Sequence, residues 1–444
     1  MSTDGSDVAS PLNRLSWLRS SHSFLNAIIL SEKTRWLVSN AGQQLVSVPS
    51  SAPSTKPVIA QLTTEQIKPY LGPAPFFGQG KEEGRTLISD EETHFTESAR
   101  FRGVRVVFLG LLDALSTENA LPTSDFTDPE VAIKKLEGTP YFAVDIGESG
   151  VDSDLLLSVD GNFTLSWAEP RGLLMTLHLD PVSLSLFNEA RSMVDWNQRN
   201  KFCPACGSPT YSGWGGWKIN CKTLLPWADN TGRTPCPTSR GLHNFAHPRT
   251  DPVVITITVD ETGEKILLGR GKKYPGKFYS ALAGFMEPGE TFEESVVREL
   301  WEEAGVKVSE VSYHSGQPWP FPANLMVGFY ARADSTQPIR TDLDNELADA
   351  GWYTRAEVLA VLNHVHGSRI TKSDQQKMKE AIEGAPSSSE PAAGPVKEAP
   401  AVDEPPFRVP PTTAIAGVLI RDWAFGNIKF PVRTYGQSVK KGNL

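Results

Sequence analysis

The sequence predicts an α+β protein in successive parts: a mostly β N-terminal domain over residues 1–200, a small cysteine-rich ribbon over 201–248, and a C-terminal mixed domain over 249–436. A disordered insertion is expected inside the last of these at 384–406, and a short tail follows at 437–444. Three observations carry this reading. Apolar runs with strand periodicity dominate the first half, all four cysteines fall between Cys203 and Cys236, and one strongly signalled helix follows Thr291. The length of 444 residues is enough for several domains with real cores. The 43 Lys and Arg against 52 Asp and Glu leave a net charge of −9, which argues against a protein that coats nucleic acid by bulk electrostatics. Asp4, Asp7, Arg14 and Arg19 interrupt the first thirty residues, and Arg105 and Asp113 break the most apolar stretch. No membrane span or export signal is read, so a soluble intracellular protein is expected.

In the first domain, Trp36-Leu-Val-Ser, Val104-Arg-Val-Val-Phe-Leu and Tyr141-Phe-Ala-Val-Asp-Ile read as strands, separated by turn-rich pieces such as Pro49-Ser-Ser-Ala-Pro-Ser. The domain closes on a helix from Pro181 to Arg199, where Leu186, Phe187, Ala190, Met193, Val194 and Asn197 recur at one-face spacing. Cys203-Pro-Ala-Cys206 then gives the turn that lets two sulfurs face one tetrahedral zinc. Cys221 and Cys236 supply the second pair, with the Gly-Trp-Gly-Gly-Trp stretch folding back as a hairpin. Fourteen residues separate Cys221 from Cys236, so His243 and His247 stand as substitutes for Cys236. Four protein ligands leave no open position, which makes such a site structural. From Gly384 to Pro406 the chain has almost nothing to bury and cannot offset its ordering entropy. Apolar character returns at Thr413-Ala-Ile-Ala-Gly-Val-Leu-Ile-Arg-Asp-Trp, an amphipathic helix, so the insertion interrupts the C-terminal domain.

The densest chemistry lies from Gly284 to Val306. Thr291 with Glu294 is a capping box, which starts a helix near Phe292, and Gly305 offers its stop. Phe292, Val296 and Leu300 are expected to line the inner face. Glu299, Glu302 and Glu303 stand at i, i+3 and i+4, so about one turn carries three carboxylates. A solvated acidic face would explain them equally well, were it not for Arg298 in the same turn and Glu290 in the Gly-containing loop before it. Together these make a hard-oxygen cage suited to Mg²⁺ or Mn²⁺.

The same block satisfies every fixed position of the Nudix box, G-x5-E-x7-R-E-U-x-E-E-x-G-U, where U is bulky and aliphatic. The chain therefore resembles the Nudix hydrolases, whose fold is an α/β/α sandwich and which cleave a nucleoside diphosphate linked to another moiety. The resemblance implies that Glu299, Glu302 and Glu303 hold divalent cations, with Glu303 or a neighbour helping to activate water. It implies that Arg298 and Glu290 pair to orient the helix, and that the Ala283 carbonyl completes the metal shell.

Downstream, Gln317-Pro318-Trp319-Pro320-Phe321-Pro322-Ala323-Asn324 places three alternating prolines around two aromatics. The prolines predict an extended, stiff backbone holding Trp319 and Phe321 as stacking surfaces for a planar base. The string is similar to the signature of the NADH pyrophosphatase branch, with Gly316 and Asn324 where serines are usual. That branch also places a four-cysteine zinc motif before the Nudix domain. The likeness runs from about Asn13 to Gly436 and is strongest from Phe202 to Trp352. It implies that Gln317 to Asn324 line the substrate pocket, that Glu346 is a further metal ligand, and that the Ala416 backbone touches substrate. His247 stands where the branch commonly has tyrosine.

The function implied is hydrolysis of NADH to reduced nicotinamide mononucleotide and AMP, with NAD⁺ slower and NAD-cap removal from RNA as the same bond on a polymer. Hydrolysis of ADP-ribose or diadenosine polyphosphates, or a non-catalytic zinc-ribbon binding protein, are the competing readings. The terminal Lys440-Lys-Gly-Asn-Leu444 resembles a peroxisomal address, which would imply an import receptor as partner and, failing that, a cytoplasmic location. The branch also implies a homodimer, and the lack of an apolar span predicts no membrane association.

Overall fold

The structure, a computed structural model, describes residues 12–87, 97–112, 131, 133–134, 138–158, 162–176, 179–234, 236–239, 247–272, 277–344, 346–369 and 405–428. The expected insertion at 384–406 lies outside the described residues except for Pro405 and Pro406, and His243 and the tail at 437–444 lie outside them too. The chain divides into two compact units, Met1–Thr250 with Pro320–Ala323, and Asp251–Trp319 with Asn324–Leu444.

The first unit is built on a seven-stranded sheet of β1 (Leu12–Asn13), β2 (Arg35–Asn40), β3 (Gln43–Pro49), β4 (Val58–Ile59), β5 (Val106–Leu112), β6 (Thr139–Asp145) and β7 (Phe163–Ala168). Its order is β1-β5-β6-β2-β3-β4 with β7 also on β3, and β2 runs parallel to β6 while the other pairs are antiparallel. Aromatic rings fill its core: Phe142 sits 5.1 Å from both Trp36 and Phe108. The Trp36 indole N–H, buried with the ring, donates to Thr64 Oγ1 at 3.0 Å, so no polar atom is stranded there. The Pro181–Arg199 helix begins on Asp180, whose carboxylate accepts from the Val182 and Ser183 amides, and Pro181 takes the first position where no amide is needed. Its inner face buries Leu186, Phe187, Ala190, Met193, Val194 and Asn197, the spacing read from the sequence.

The ribbon comes next. Gly207 at φ +71° lets its amide return to the Cys203 carbonyl at 2.8 Å, closing the first cysteine turn. Strands β8 (Thr210–Gly213) and β9 (Lys218–Cys221) form the hairpin, which delivers Cys221 at its end. Cys236 arrives from the loop that follows.

The second unit holds a six-stranded sheet of β10 (Asp251–Asp260), β11 (Lys265–Gly271), β12 (Leu282–Phe285), β13 (Val308–Trp319), β14 (Asn324–Ala333) and β15 (Leu347–Thr354). The order is β13-β14-β10-β11-β15 with β12 on β10, and β10 with β14 is the parallel pair. Strand alternation assigns each face its helix. Val254 and Leu267 pack with Val296, Leu300 and Ala304 of the Phe292–Ala304 helix. Their neighbours Ile255, Ile257, Ile266 and Leu268 face the other way, onto the Arg355–Asn363 and Ile415–Ala424 helices. This is the expected α/β/α layering, and each fully buried Val, Leu or Ile adds about 1.5–3 kcal/mol. Phe292 departs from its expected place: at the first position of the helix it is 37% exposed, although its ring still lies 6.0 Å from that of Phe329.

The proline string also departs from expectation. Gln317, Pro318 and Trp319 are extended on β13, but Pro320–Ala323 form the turn that reverses the chain into β14, with a cis peptide between Phe321 and Pro322. Pairing of Trp319 with Asn324 closes this hairpin, so the backbone is not one stiff extended rod.

Candidate active site

The Phe292–Ala304 helix is fixed at both ends by its own sequence. Thr291 Oγ1 accepts from the Glu294 amide, and Glu294 Oε2 accepts from the Thr291 amide at 2.8 Å. Gly305, at φ +67°, returns its amide to the Trp301 carbonyl at 2.8 Å. The turn before the helix is held by Glu290 Oε2, which takes the Glu287 amide at 2.9 Å.

Arg298 organises the acids around it. Its Nε and Nη2 donate to the two oxygens of Glu290 at 2.5 and 2.9 Å, the forked pairing that a guanidinium favours. Nη1 donates to Glu299 at 2.7 Å and to Glu302 at 3.0 Å, and Nη2 also reaches the Phe285 carbonyl at 2.8 Å. The hydrogen bond from Arg298 holds the Glu290 carboxyl down at about 2, and Glu290 in turn raises Arg298 above its ordinary value. Arg298 and Glu290 therefore pair as the resemblance implies, and the pair ties the helix to the end of β12.

Glu299 lies against bare backbone. A Cβ at Gly284 would stand 1.9 Å from the Glu299 carboxyl carbon, so only glycine lets the carboxylate occupy that place. Burial raises the Glu299 carboxyl against the pull of Arg298, and Glu302 and Glu346 add to the rise. Glu303 is buried, and its Oε1 accepts from the Ala283 amide at 3.3 Å. Burial pushes its carboxyl to about 9, reinforced by the charges of Glu299, Asp344 and Glu346. Glu302 is the outermost of the three, half exposed and held by Arg298. Glu346 is exposed at the start of β15, where its charge acts on both Glu299 and Glu303. The structure thus brings Glu299, Glu303 and Glu346 within electrostatic reach of one another, with the Ala283 amide on Glu303. These hard oxygens repel one another, and a divalent cation is the chemistry that relieves such repulsion.

Two contributors escaped sequence reasoning. Asp344 acts on Glu303 from the loop before β15; its signal was the acidic string Asp342-Leu-Asp-Asn-Glu346, of which only the last member stood out. Phe285 is 57% exposed at the end of β12, immediately beside Gly284 and Arg298, and occupies a variable position of the box.

Gln317 spends its side-chain amide on backbone: Nε2 donates to the Thr413 carbonyl at 2.9 Å and Oε1 accepts from the Ile415 amide at 2.8 Å. Ala416 follows directly and is buried. Pro318 is exposed, Pro320 buried, and Trp319, Phe321, Pro322, Ala323 and Asn324 are half-buried.

The four cysteine sulfurs all lie within 4.8 Å of one another, with Cys203 to Cys236 at 3.7 Å and Cys206 to Cys221 at 3.4 Å. Among the described residues no other set of His, Cys, Asp or Glu is gathered so closely, and the acids around Glu299 are spread more widely. Cys236 thus completes the group despite its distance in sequence. His247 stands elsewhere, its ring 5.5 Å from that of Trp214. Thr223 and Thr238 hydroxyls lie 3.0 and 2.9 Å from Cys221 and Cys236, so the second pair repeats one Cys-x-Thr turn twice. Among the described residues no helix is long and apolar enough to cross a membrane.

Residues 249–373 match the NUDIX domain family. The chain is 33% identical over 363 residues to a "NAD-capped RNA hydrolase" of Schizosaccharomyces pombe, covering 80% of this chain and 84% of that one. It is 30% identical over 371 residues to "NAD-capped RNA hydrolase NPY1" of Saccharomyces cerevisiae, covering 80% and 86%. Against "NAD-capped RNA hydrolase NUDT12" of Homo sapiens identity reaches 40% over 247 residues, 56% of this chain and 43% of the human protein. With the box residues in place and relatives matched over most of their length, the chain belongs to the Nudix hydrolase family, in its NADH pyrophosphatase branch.

Proposed function

We propose that the protein hydrolyses the pyrophosphate of NAD-type dinucleotides, cleaving NADH to reduced nicotinamide mononucleotide and AMP, NAD⁺ more slowly, and the same bond at the 5′ end of NAD-capped RNA. The carrying observation is the buried Glu303 beside Glu299, Glu346 and Asp344, a set of carboxylates that makes sense around a phosphate-bound cation. The names of the matched relatives support the RNA cap as a substrate.

Glu299, Glu302, Glu303 and Glu346, with the Ala283 carbonyl, would hold Mg²⁺ or Mn²⁺. When bound, such ions polarise the bridging phosphate oxygens and lower the pKa of water. The protein's own part is positional and proton-handling. Arg298 and Glu290 fix the helix so that Glu299 and Glu303 present their oxygens at set places. Glu303 has one oxygen engaged by the Ala283 amide; a cation held beside it would keep the carboxyl ionised despite its burial, leaving the other oxygen to take a proton from the attacking water. No covalent intermediate is needed. Gln317, Pro318, Trp319 and Asn324 with the Ala416 backbone would form the dinucleotide wall, as the resemblance implies, and the exposed Phe285 ring would offer a stacking surface.

Cys203, Cys206, Cys221 and Cys236 would hold a structural Zn²⁺. A homodimer, and a peroxisomal location through an import receptor, belong to the same proposal. Steady-state rates on NADH, NAD⁺, ADP-ribose, a diadenosine polyphosphate and an NAD-capped RNA test it. The expected order puts NADH first; a preference for ADP-ribose or diadenosine polyphosphate would replace the assignment, and no turnover on any would favour a binding protein.

A further inference from the structure

The Ile415–Ala424 helix lacks a cap of its own. Its N-cap residue is Ala414, which has no side-chain acceptor, and the preceding Pro410 and Pro411 pack their carbonyls against Gly417, where a Cβ would meet them at 2.5 and 2.2 Å. The missing acceptor comes from another strand. Gln317 Oε1 takes the Ile415 amide at 2.8 Å while Gln317 Nε2 donates to the Thr413 carbonyl at 2.9 Å. One amide side chain thus satisfies a donor and an acceptor on either side of the helix start, fixing both position and rotation of the segment 413–416. Farther along, the same helix is tied to the sheet by Tyr330, whose hydroxyl donates to the Leu419 carbonyl at 2.7 Å, and by His314 Nε2, 3.2 Å from Asp422. His314 is itself placed by Ser315 Oγ, 2.7 Å from Nδ1.

We propose that Gln317 is a positioning residue: it acts on the dinucleotide through the 413–416 backbone that it caps, not through a contact of its own amide. This rests on the proposed function insofar as that backbone forms the substrate wall. Resemblance alone assigns Gln317 to the pocket lining; the geometry shows its hydrogen-bonding capacity directed to the helix start. Ile415 packs into the core, but from Ala414 to Gly417 there is no polar side chain to take the amides of the helix start, so the polar lock is supplied from β13.

The test compares Gln317→Ala, the isosteric Gln317→Met and Gln317→Glu with Asp422→Ala, using NADH kinetics and amide hydrogen exchange on the full chain with divalent cation present. Gln317→Ala and Gln317→Met are expected to raise KM about tenfold with kcat within about twofold, and to speed exchange of the Ile415 amide. Gln317→Glu keeps the acceptor for Ile415 but loses the donor to Thr413, so it should rescue Ile415 protection and part of KM. Asp422→Ala loosens the far end of the same helix and should speed exchange there while leaving KM unchanged. A raised KM with the Ile415 amide still protected would overturn the proposal, as would a fall in kcat at constant KM. So would a KM rise in Asp422→Ala equal to that in Gln317→Ala, since general loosening would then suffice. If the wild-type protein turns over no dinucleotide, the functional reading fails, and Ile415 exchange in Gln317→Met still decides whether Gln317 caps the helix.

Discussion

Replacing Gly284 by alanine should disable the site without unfolding it. The new Cβ would sit 1.9 Å from the Glu299 carboxyl carbon and 2.0 and 2.1 Å from its oxygens. An ordinary carbon contact is about 3.5 Å, so the carboxylate has to retreat by about 1.5 Å. The φ of Gly284 is not in the left-handed region, so the backbone itself tolerates alanine, and the three nearest atoms that the Cβ meets all belong to the Glu299 carboxylate. Retreat takes Glu299 from its 2.7 Å bond to Arg298 and from its place beside Glu303 and Glu346, on which its charge acts. A misplacement of about 1 Å costs on the order of a hundredfold in rate, so kcat on NADH should fall by roughly that factor or more. The assay is steady-state hydrolysis with saturating Mg²⁺, beside a thermal melt showing a folded protein. Activity within about threefold of wild type would refute the claim that the Glu299 carboxylate works from the place Gly284 leaves open.

Arg298→Ala should soften the acid limb of stability. Glu290 is held from an ordinary value of 4.5 down to about 2, so its stabilisation is complete above pH 4.5 and is lost as pH falls toward 2. Melting temperature against pH should therefore drop less steeply in that window for the variant; an unchanged slope would remove the ion pair from the account. Adding Mg²⁺ should raise the melting temperature of the wild type, by relieving the carboxylate repulsion around Glu303, and raise that of Glu303→Gln much less; equal shifts would place the cation elsewhere. Cys236→Ser should lose zinc, measured by elemental analysis, together with thermal stability, whereas His247→Ala should retain it; zinc retained in Cys236→Ser would remove Cys236 from the ligand set.

Local signals carried the site much further than they carried the sheet. The Phe292–Ala304 helix was readable to the residue because Thr291, Glu294 and Gly305 are caps that act within a few positions of chain. The Pro181–Arg199 helix was equally plain, with Pro181 at its start and one apolar face. The order of the seven-stranded sheet was not readable: β2 pairs in parallel with β6 across about a hundred residues of sequence, a choice made by shared burial of Trp36 and Phe142. The placement of Cys236 was obscured for the same reason. Spacing rules describe short turns, whereas here two Cys-x-Thr turns are brought together by the β8–β9 hairpin and a long loop. The proline string misled because Pro fixes only its own φ, and the cross-strand pairing of Trp319 with Asn324 decides that the chain turns. Gln317 shows the remaining gap: its sequence neighbourhood marks it for the pocket, and only the tertiary structure reveals that its amide caps Ile415.

In the proposed function, buried Glu303, within an acid set organised by Arg298, drives cleavage of a dinucleotide pyrophosphate. The most direct measurement is the rate of conversion of NADH to reduced nicotinamide mononucleotide and AMP by Glu303→Gln and wild type, both shown folded. Glu303→Gln should keep its fold and lose on the order of a hundredfold or more in kcat. Full activity in Glu303→Gln would contradict that role.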